Sequence, residues 1–490
     1  MVSSARLPAA LFGPMNPRYS PIDITAPLDA AAVRRELPAL LHLALPVIAS
    51  ELGWMAMWIV DTVMVGRLGP TALGAVSLGG HVFFTISMFG IGLMLGLDYT
   101  VATAVGARRM DDARAELHHG IVLAVALSVA LTAVLIAAAS ALASYGAAPE
   151  LAAQAAAYLR ATTVGLLPLL LFFALRRYLQ AMELAKPVMV TIVTANLINL
   201  VADWALIYGR LGLPALGAEG AGWATCVSRV YMLLCLVAYV GLLRRRDTTD
   251  SGRRPLERER FIRLVRLGLP AAAQTTLEVG AFTAATIAVA RLSTVDLAAH
   301  QVAPSIAATT FMVPLGLSSA GAVRVGRAVG ARESRSALAA GWAALGCAAT
   351  FMSVAALTLV VTRYRIVALF TSDTAVIELG ATLLLVAAAF QLFDGIQVTA
   401  AGVLRGVGNS RAAMLANLGG HWLVGLPAGL TLCFTLGAGV LGLWIGLSIG
   451  LISVAIVLLS LWIRRGRALA RTTAPVQPLD RPNTRQATPA

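Results

Sequence analysis

Runs of about 20 apolar residues recur along the chain between short clusters of glycine, proline and arginine, and a helix of that length crosses roughly 30 Å of hydrocarbon. Twelve such runs fall near 39–65, 72–104, 117–145, 155–178, 187–208, 220–243, 261–291, 297–327, 337–362, 375–404, 411–435 and 439–463. The pattern predicts an all-α polytopic membrane protein with twelve transmembrane helices. Residues 1–37 contain Pro8, Pro14, Pro17, Pro21 and Pro27 and no apolar stretch resembling a signal peptide, so they read as a disordered tail. Residues 466–490, rich in Pro, Thr and Arg, read the same way.

Composition excludes a water-soluble fold. Of 490 residues 58% are hydrophobic and 13% are charged, about half the charged share of soluble domains, and the mean hydropathy is +0.80. The excess of 38 Lys and Arg over 24 Asp and Glu gives a net charge of +14, which in a soluble chain would suggest nucleic acid. Here the basic residues are nearly all arginines gathered in short loops, where they set topology, and no nucleic-acid partner is expected. The one lysine, Lys186, stands in Leu-Ala-Lys-Pro, so the chain has no Gly-Lys-Ser/Thr phosphate loop and is not an ATP-driven pump of that type. Cys226, Cys235, Cys347 and Cys433 lie in apolar runs without CxxC spacing, which indicates core residues rather than disulfides or a zinc site.

The loops after spans 2, 4, 6, 8 and 10 carry most of the arginine: Arg108, Arg109 and Arg114; Arg177 with Lys186; Arg244 to Arg246 with Arg253, Arg254, Arg258 and Arg260; Arg332 and Arg335; Arg405 and Arg411. The positive-inside rule therefore makes these even loops and both termini cytoplasmic. The chain also repeats itself. Leu-Ala-Leu-Pro46 matches Leu-Gly-Leu-Pro270, Arg67-Leu68 matches Arg291-Leu292, and Val105-Gly-Ala-Arg108 matches Val329-Gly-Ala-Arg332, each at an offset of 270 − 46 = 224. Each half is thus one six-helix lobe, 38–243 and 261–465, joined by a cytoplasmic linker at 244–260. Six spans per lobe is an even number, so the halves are parallel repeats about an axis along the membrane normal, with a cavity between them.

At this spacing the residues resemble the multidrug and toxic compound extrusion (MATE) antiporters, in particular the NorM-like branch. The likeness runs from about Leu40 to Trp462 and is carried by Val60-Asp-Thr-Val-Met-Val-Gly-Arg-Leu-Gly69, His300-Gln-Val-Ala303, Met312-Val-Pro-Leu-Gly316, Arg324-Val-Gly326 with Gly330-Ala331, Asp394-Gly-Ile-Gln397 and Leu404-Arg-Gly406. The resemblance implies two V-shaped bundles that alternate between membrane faces. It further implies export of amphipathic, mostly cationic drugs or toxic metabolites in exchange for Na⁺ or H⁺. It places a monomer without cofactor in a bacterial inner membrane.

Ionisable groups inside the spans need a reason of their own, since each costs roughly 2.5–3.5 kcal/mol near the membrane centre. Asp61 on span 1, Asn199 and Asp203 on span 5 and Thr225 on span 6 form the N-lobe set. Asn199 and Asp203 are four apart and project from one helix face, from which Asp61 can be met across the bundle. Two carboxylates, an amide and a hydroxyl suit Na⁺, and the same cage suits a proton shared by neighbouring acids. A buried network that only fixes helix packing is the alternative. The set looks like the family's N-lobe cation site.

Glu278 on span 7 and Asp394 on span 10, with Gln274, Gln391 and Gln397 on the same faces, form the C-lobe set, which the resemblance links to substrate or a second cation. Phe390 stands where some relatives carry tyrosine. Pro46 and Pro270, equivalent in the two lobes, are candidate hinges. Asp98 is expected to snorkel from the end of span 2, and Glu51 has no assigned role. His42, His81, His300 and His421 are expected to be satisfied core histidines. Gly446-Leu-Ser448-Ile-Gly450 fits a hydrolase elbow, but it lies in an apolar span where Gly442, Gly446 and Gly450 read as packing residues. Gly92 and Gly96 read likewise. A lipid-linked saccharide flippase of the same superfamily is the nearest alternative function. It would ordinarily need a cationic cavity, whereas the intramembrane charge noted above is acidic.

Overall fold

The computed structural model describes residues 30–142, 149–246 and 255–471. The helices are α1 (Ala30–Gly66), α2 (Pro70–Met94), α3 (Gly96–Gly106), α4 (Met110–Ala141), α5 (Pro149–Val164), α6 (Leu166–Ala181), α7 (Ala185–Tyr208) and α8 (Gly217–Arg246) in one half. The other half has α9 (Arg258–Val289), α10 (Thr294–Gly330), α11 (Ser334–Ala368), α12 (Thr374–Gly406), α13 (Ser410–Asn417), α14 (Leu426–Leu430) and α15 (Gly439–Arg471). Helices α2 and α3 form one span, α5 and α6 form another bent by 46°, and Ser410–Thr435 is a third that includes two π-helical segments. With α9, which is long enough but interrupted by Gln274 and Glu278, twelve spans result. Four boundaries differ from expectation. Helix α1 starts at Ala30, ahead of 38, α8 and α9 extend into the expected linker, and α15 runs to Arg471, past 465 into the expected tail. The remaining tail and linker residues, 1–29, 247–254 and 472–490, lie outside the described residues.

Leucines and valines that no soluble surface would expose, such as Leu197, Leu234, Leu357 and Val361, form the outer belt, consistent with lipid as the solvent. Within each half the spans pack on one another, and the lobes meet through α1 with α10 and through α2 and α3 with α9 and α10. That seam is symmetric in the register of the repeat. A Cβ on Gly106 would lie 2.0 Å from the Arg327 carbonyl oxygen, and one on Gly330 would lie 2.2 Å from that of Thr103. Both members of each pair are shifted by 224: 330 − 106 and 327 − 103. Gly92 against Ala272 and Gly316 against Ile48 repeat the relation, at 316 − 92 and 272 − 48. Reciprocal contacts of this kind are the signature of a two-fold axis, here an approximate one within a single chain. Gly92 and Gly96 are packing residues as expected, and so are Gly442, Gly446 and Gly450.

The seam lies in the half of the membrane next to the even loops, called here the arginine-rich face. Four of those loops use one turn. Arg108, Glu183, Arg332 and Gly408 each adopt positive φ two residues after a helix ends, and the following N–H reaches back five residues, as from Arg109 to Ala104 and from Asn409 to Leu404. Only one of the four is glycine. Arg108, exposed at φ 57°, carries the strain of that conformation. The Arg108→Gly variant should therefore gain about 0.5–1 kcal/mol, read as a higher unfolding midpoint in detergent.

Candidate functional site

Helix α7 presents Asn196, Asn199 and Asp203 at i, i+3 and i+7 to α1. Asn196 donates from Nδ2 to the Gly53 carbonyl (3.0 Å) and Tyr208 from its hydroxyl to the Met64 carbonyl (2.6 Å), fixing the two helices. Between these ties Asp61 faces Asp203 within Coulombic range, and Asn199 adjoins them. Thr225 on α8 donates to Asp61 Oδ2 at 3.3 Å. All four expected N-lobe residues are brought together and buried, Asn199 and Asp203 completely. Among the described residues five of their atoms have no hydrogen-bond partner: Asp61 Oδ1, both Asp203 oxygens and both ends of the Asn199 amide. An unmade bond in a buried group costs about 1–3 kcal/mol, so a cluster with five is a candidate binding site. Its donors are hard oxygens with negative charge, which fit a proton or a small monovalent cation. Tyr158 on α5 also lies within Coulombic range of both acids, a neighbour that no sequence signal marked.

In the C-lobe Gln397 donates from Nε2 to Glu278 Oε1 at 3.3 Å, and Asp394 stands within Coulombic range of Glu278. Gln391 turns away to bond Thr310 of α10, and Gln274 is buried on α9. Phe390 packs against Trp444. The C-lobe pair is thus held by one amide, a simpler arrangement than the N-lobe cage.

Asp98 does not snorkel. It is fully buried eight residues before the end of α3, too deep for its short side chain to reach water, and its Oδ2 lies 3.4 Å from Arg405 and 3.8 Å from Arg177. Those two arginines are correspondingly not loop residues. Both are buried in the last turns of α6 and α12, and Arg177 also donates to Ser319 of α10 at 2.9 Å. Beside them Glu51 pairs with Arg176, whose guanidinium lies over Phe173. Further out, Arg324 binds Glu36 and Glu183, Arg327 binds Glu183, and Arg260 binds Asp112 and Glu116. Most of these join one lobe to the other. Among the described residues no hydrogen bond or ion pair joins the lobes toward the opposite face.

Trp444 donates to His300 Nδ1, and the other ring nitrogen of His300 meets Thr286 Oγ1, each at 3.0 Å, so His300 is a satisfied core histidine. Neither ring nitrogen of buried His421 has a partner, while His42 and His81 are exposed rather than core. Ser448 donates to the Trp444 carbonyl one turn earlier in α15, and among the described residues it has no acidic partner. Pro46 and Pro270 both lie inside uninterrupted helices.

The MatE family model matches the chain twice, over residues 46–205 and 270–431. The two matches start 270 − 46 = 224 residues apart, the offset of the repeat. "Probable multidrug resistance protein NorM" of Mesorhizobium japonicum is 37% identical over 457 residues, covering 91% of this chain and 98% of that protein. "Multidrug resistance protein NorM" of Aliivibrio fischeri is 32% identical over 441 residues, covering 88% and 96%. Among solved structures, the eukaryotic MATE transporter AtDTX14 superposes with a TM-score of 0.81 at 22% identity, over 90% of this chain and all of that one. An outward-facing multidrug resistance MATE transporter superposes with a TM-score of 0.81 at 23% identity, over 92% and 100%. At such identities the likeness is one of fold.

Proposed function

This chain belongs to the MatE family, and we propose that it is a secondary multidrug efflux antiporter, exporting amphipathic, mostly cationic compounds in exchange for Na⁺ or H⁺. The observation that carries the reading is the buried N-lobe cluster in which Asp61 and Asp203 face each other with three of their four carboxylate oxygens unpartnered among the described residues. The positive-inside rule makes the arginine-rich face cytoplasmic, so the seam of glycines and ion pairs closes the inner side and the structure is outward-facing. In that state an external cation reaches Asp61 and Asp203 and neutralises them. Neutral acids no longer hold a cationic drug, which leaves outward, and the return to the inward state releases the cation where drug replaces it. A ligand shifts this equilibrium only by its differential affinity for the two states, and buried carboxylates supply a large one because their charge is poorly solvated.

The test is dye efflux from proteoliposomes carrying Asp203→Asn, driven by an imposed proton or Na⁺ gradient. Export should fall at least about tenfold, corresponding to a loss of about 1.4 kcal/mol or more of coupling. Retention of wild-type efflux under either gradient removes Asp203 from the mechanism.

A further inference from the structure

The N-lobe pocket contains a third charged group that the antiport scheme leaves without a task. Arg229 follows Thr225 by one turn of α8 and shares its face. It is 6% exposed, in the interior of a membrane span. Its Nη1 donates to the Thr162 carbonyl at 3.2 Å, and its guanidinium carbon lies 4.4 Å from the centroid of the Phe83 ring. Among the described residues no carboxylate stands within ion-pair distance, yet Asp61 lies within Coulombic range. The bend between α5 and α6 creates this seat. At Gly165 the helix breaks; the Thr162 carbonyl accepts the Gly165 N–H at 3.1 Å as well as the Arg229 guanidinium, and a Cβ on Gly165 would fall 3.1 Å from Arg229 Cδ and Nη1. The guanidinium is therefore held between a carbonyl and an aromatic face, within Coulombic range of Asp61.

We propose that Arg229 makes the Asp61–Asp203 pocket a proton site and excludes Na⁺ from it. The proposal rests on the antiport reading and selects its coupling ion. The titratable groups gathered here are Asp61 from α1, Tyr158 from α5, Asp203 from α7 and Arg229 from α8, with Cys226 of α8 beside Arg229; Phe83 of α2 is uncharged. Phenol and thiol are ordinarily neutral at physiological pH, and the Glu51–Arg176 pair balances itself. Two ionised carboxylates beside a fixed guanidinium present one net negative charge.

A sodium ion must shed its water shell to enter, and only uncompensated carboxylate charge and oxygen dipoles offset that loss. Arg229 removes one unit of that charge and repels what approaches. A proton needs less. It bonds to one carboxylate oxygen, and the facing carboxylate accepts its hydrogen bond, the arrangement adopted by two acids that cannot both be ionised in a dry site. The remaining carboxylate is then balanced by Arg229, and the loaded pocket is neutral.

The experiment measures Na⁺ binding to purified protein with radioactive sodium, and dye efflux under a proton gradient or a Na⁺ gradient applied separately. Wild type should be driven by the proton gradient, be indifferent to Na⁺ at clamped pH, and bind no Na⁺ that Asp203→Asn abolishes. Arg229→Met should gain Na⁺ affinity by at least about tenfold, as expected from deleting a unit charge at this range, and should export on a Na⁺ gradient. Arg229→Lys, which keeps the charge, should retain the wild-type ion preference, a result that a role limited to bracing the α5–α6 bend does not predict. Asp203-dependent Na⁺ binding by wild type overturns the proposal, as does a folded Arg229→Met variant with unchanged ion preference. If Arg229→Met does not fold, the wild-type binding assay and the lysine variant decide. Failure of both gradients to drive wild type overturns the antiport reading instead, and the sodium-binding assay still judges Arg229.

Discussion

Alanine at Gly106 should open the seam between the lobes and tilt the protein toward the state open at its arginine-rich face. The new Cβ would stand 2.0 Å from the Arg327 carbonyl oxygen and 2.7 Å from its carbon, atoms that cannot rotate away as a side chain would. Helices α3 and α10 must separate. Overpacking of this kind costs about 1–3 kcal/mol, which between two functional states is a population shift of about 5- to 150-fold. The readout is labelling of Ser319→Cys, at the closed inner side, by a membrane-impermeant thiol reagent, with the four native cysteines replaced. Labelling should accelerate by at least about fivefold, the lower end of that range, while export slows. Gly330→Ala, its symmetry partner, should do the same, and the double variant should add little, because one separation relieves both clashes and neighbouring substitutions are not additive. Unchanged labelling in both single variants would mean that this seam does not govern which face is open.

The spans, their pairing into lobes and the offset of 224 were legible because each rests on a strong one-dimensional signal: length, apolarity and repetition. The seam contacts Gly106–Arg327 and Gly330–Thr103 obey the same offset, so even part of the lobe interface was implicit in the sequence. Asn199 and Asp203 were legible because four-residue spacing fixes a shared face. What spacing does not state is which neighbour a polar face meets. Arg177 and Arg405 looked like loop charges, since both sit at the ends of apolar runs, and only packing shows them buried against Asp98. Arg229, nine residues into the 220–243 run, carried the same signal of cost as the acids, but the sequence does not state which carbonyl and ring hold it. That carbonyl depends on the break at Gly165, and glycine is too frequent in membrane helices for one of them to announce a bend.

The second large effect is expected at Asp98. With Arg176, Arg177, Arg405 and Glu51 it forms a buried cluster of three positive and two negative charges that straddles the lobes. Asp98→Asn leaves three guanidiniums facing one carboxylate out of reach of water, and breaking a buried pair in this way costs about 3–5 kcal/mol. Because Arg405 belongs to the other lobe, separation of the lobes admits water and relieves much of the penalty without unfolding. The variant should therefore label rapidly at Ser319→Cys and melt earlier. Adding Arg405→Gln returns the cluster to two positive and one negative charge, the wild-type net of +1, and should recover at least about 1 kcal/mol of the loss as a coupling term. A physical tie between Asp98 and Arg405 requires that recovery. If the two substitutions destabilise additively in thermal unfolding, and labelling stays slow in each, the tie of Asp98 to Arg405 is not what holds the arginine-rich face shut, and the rim pairs of Arg324 and Arg327 with Glu183 become the groups to remove.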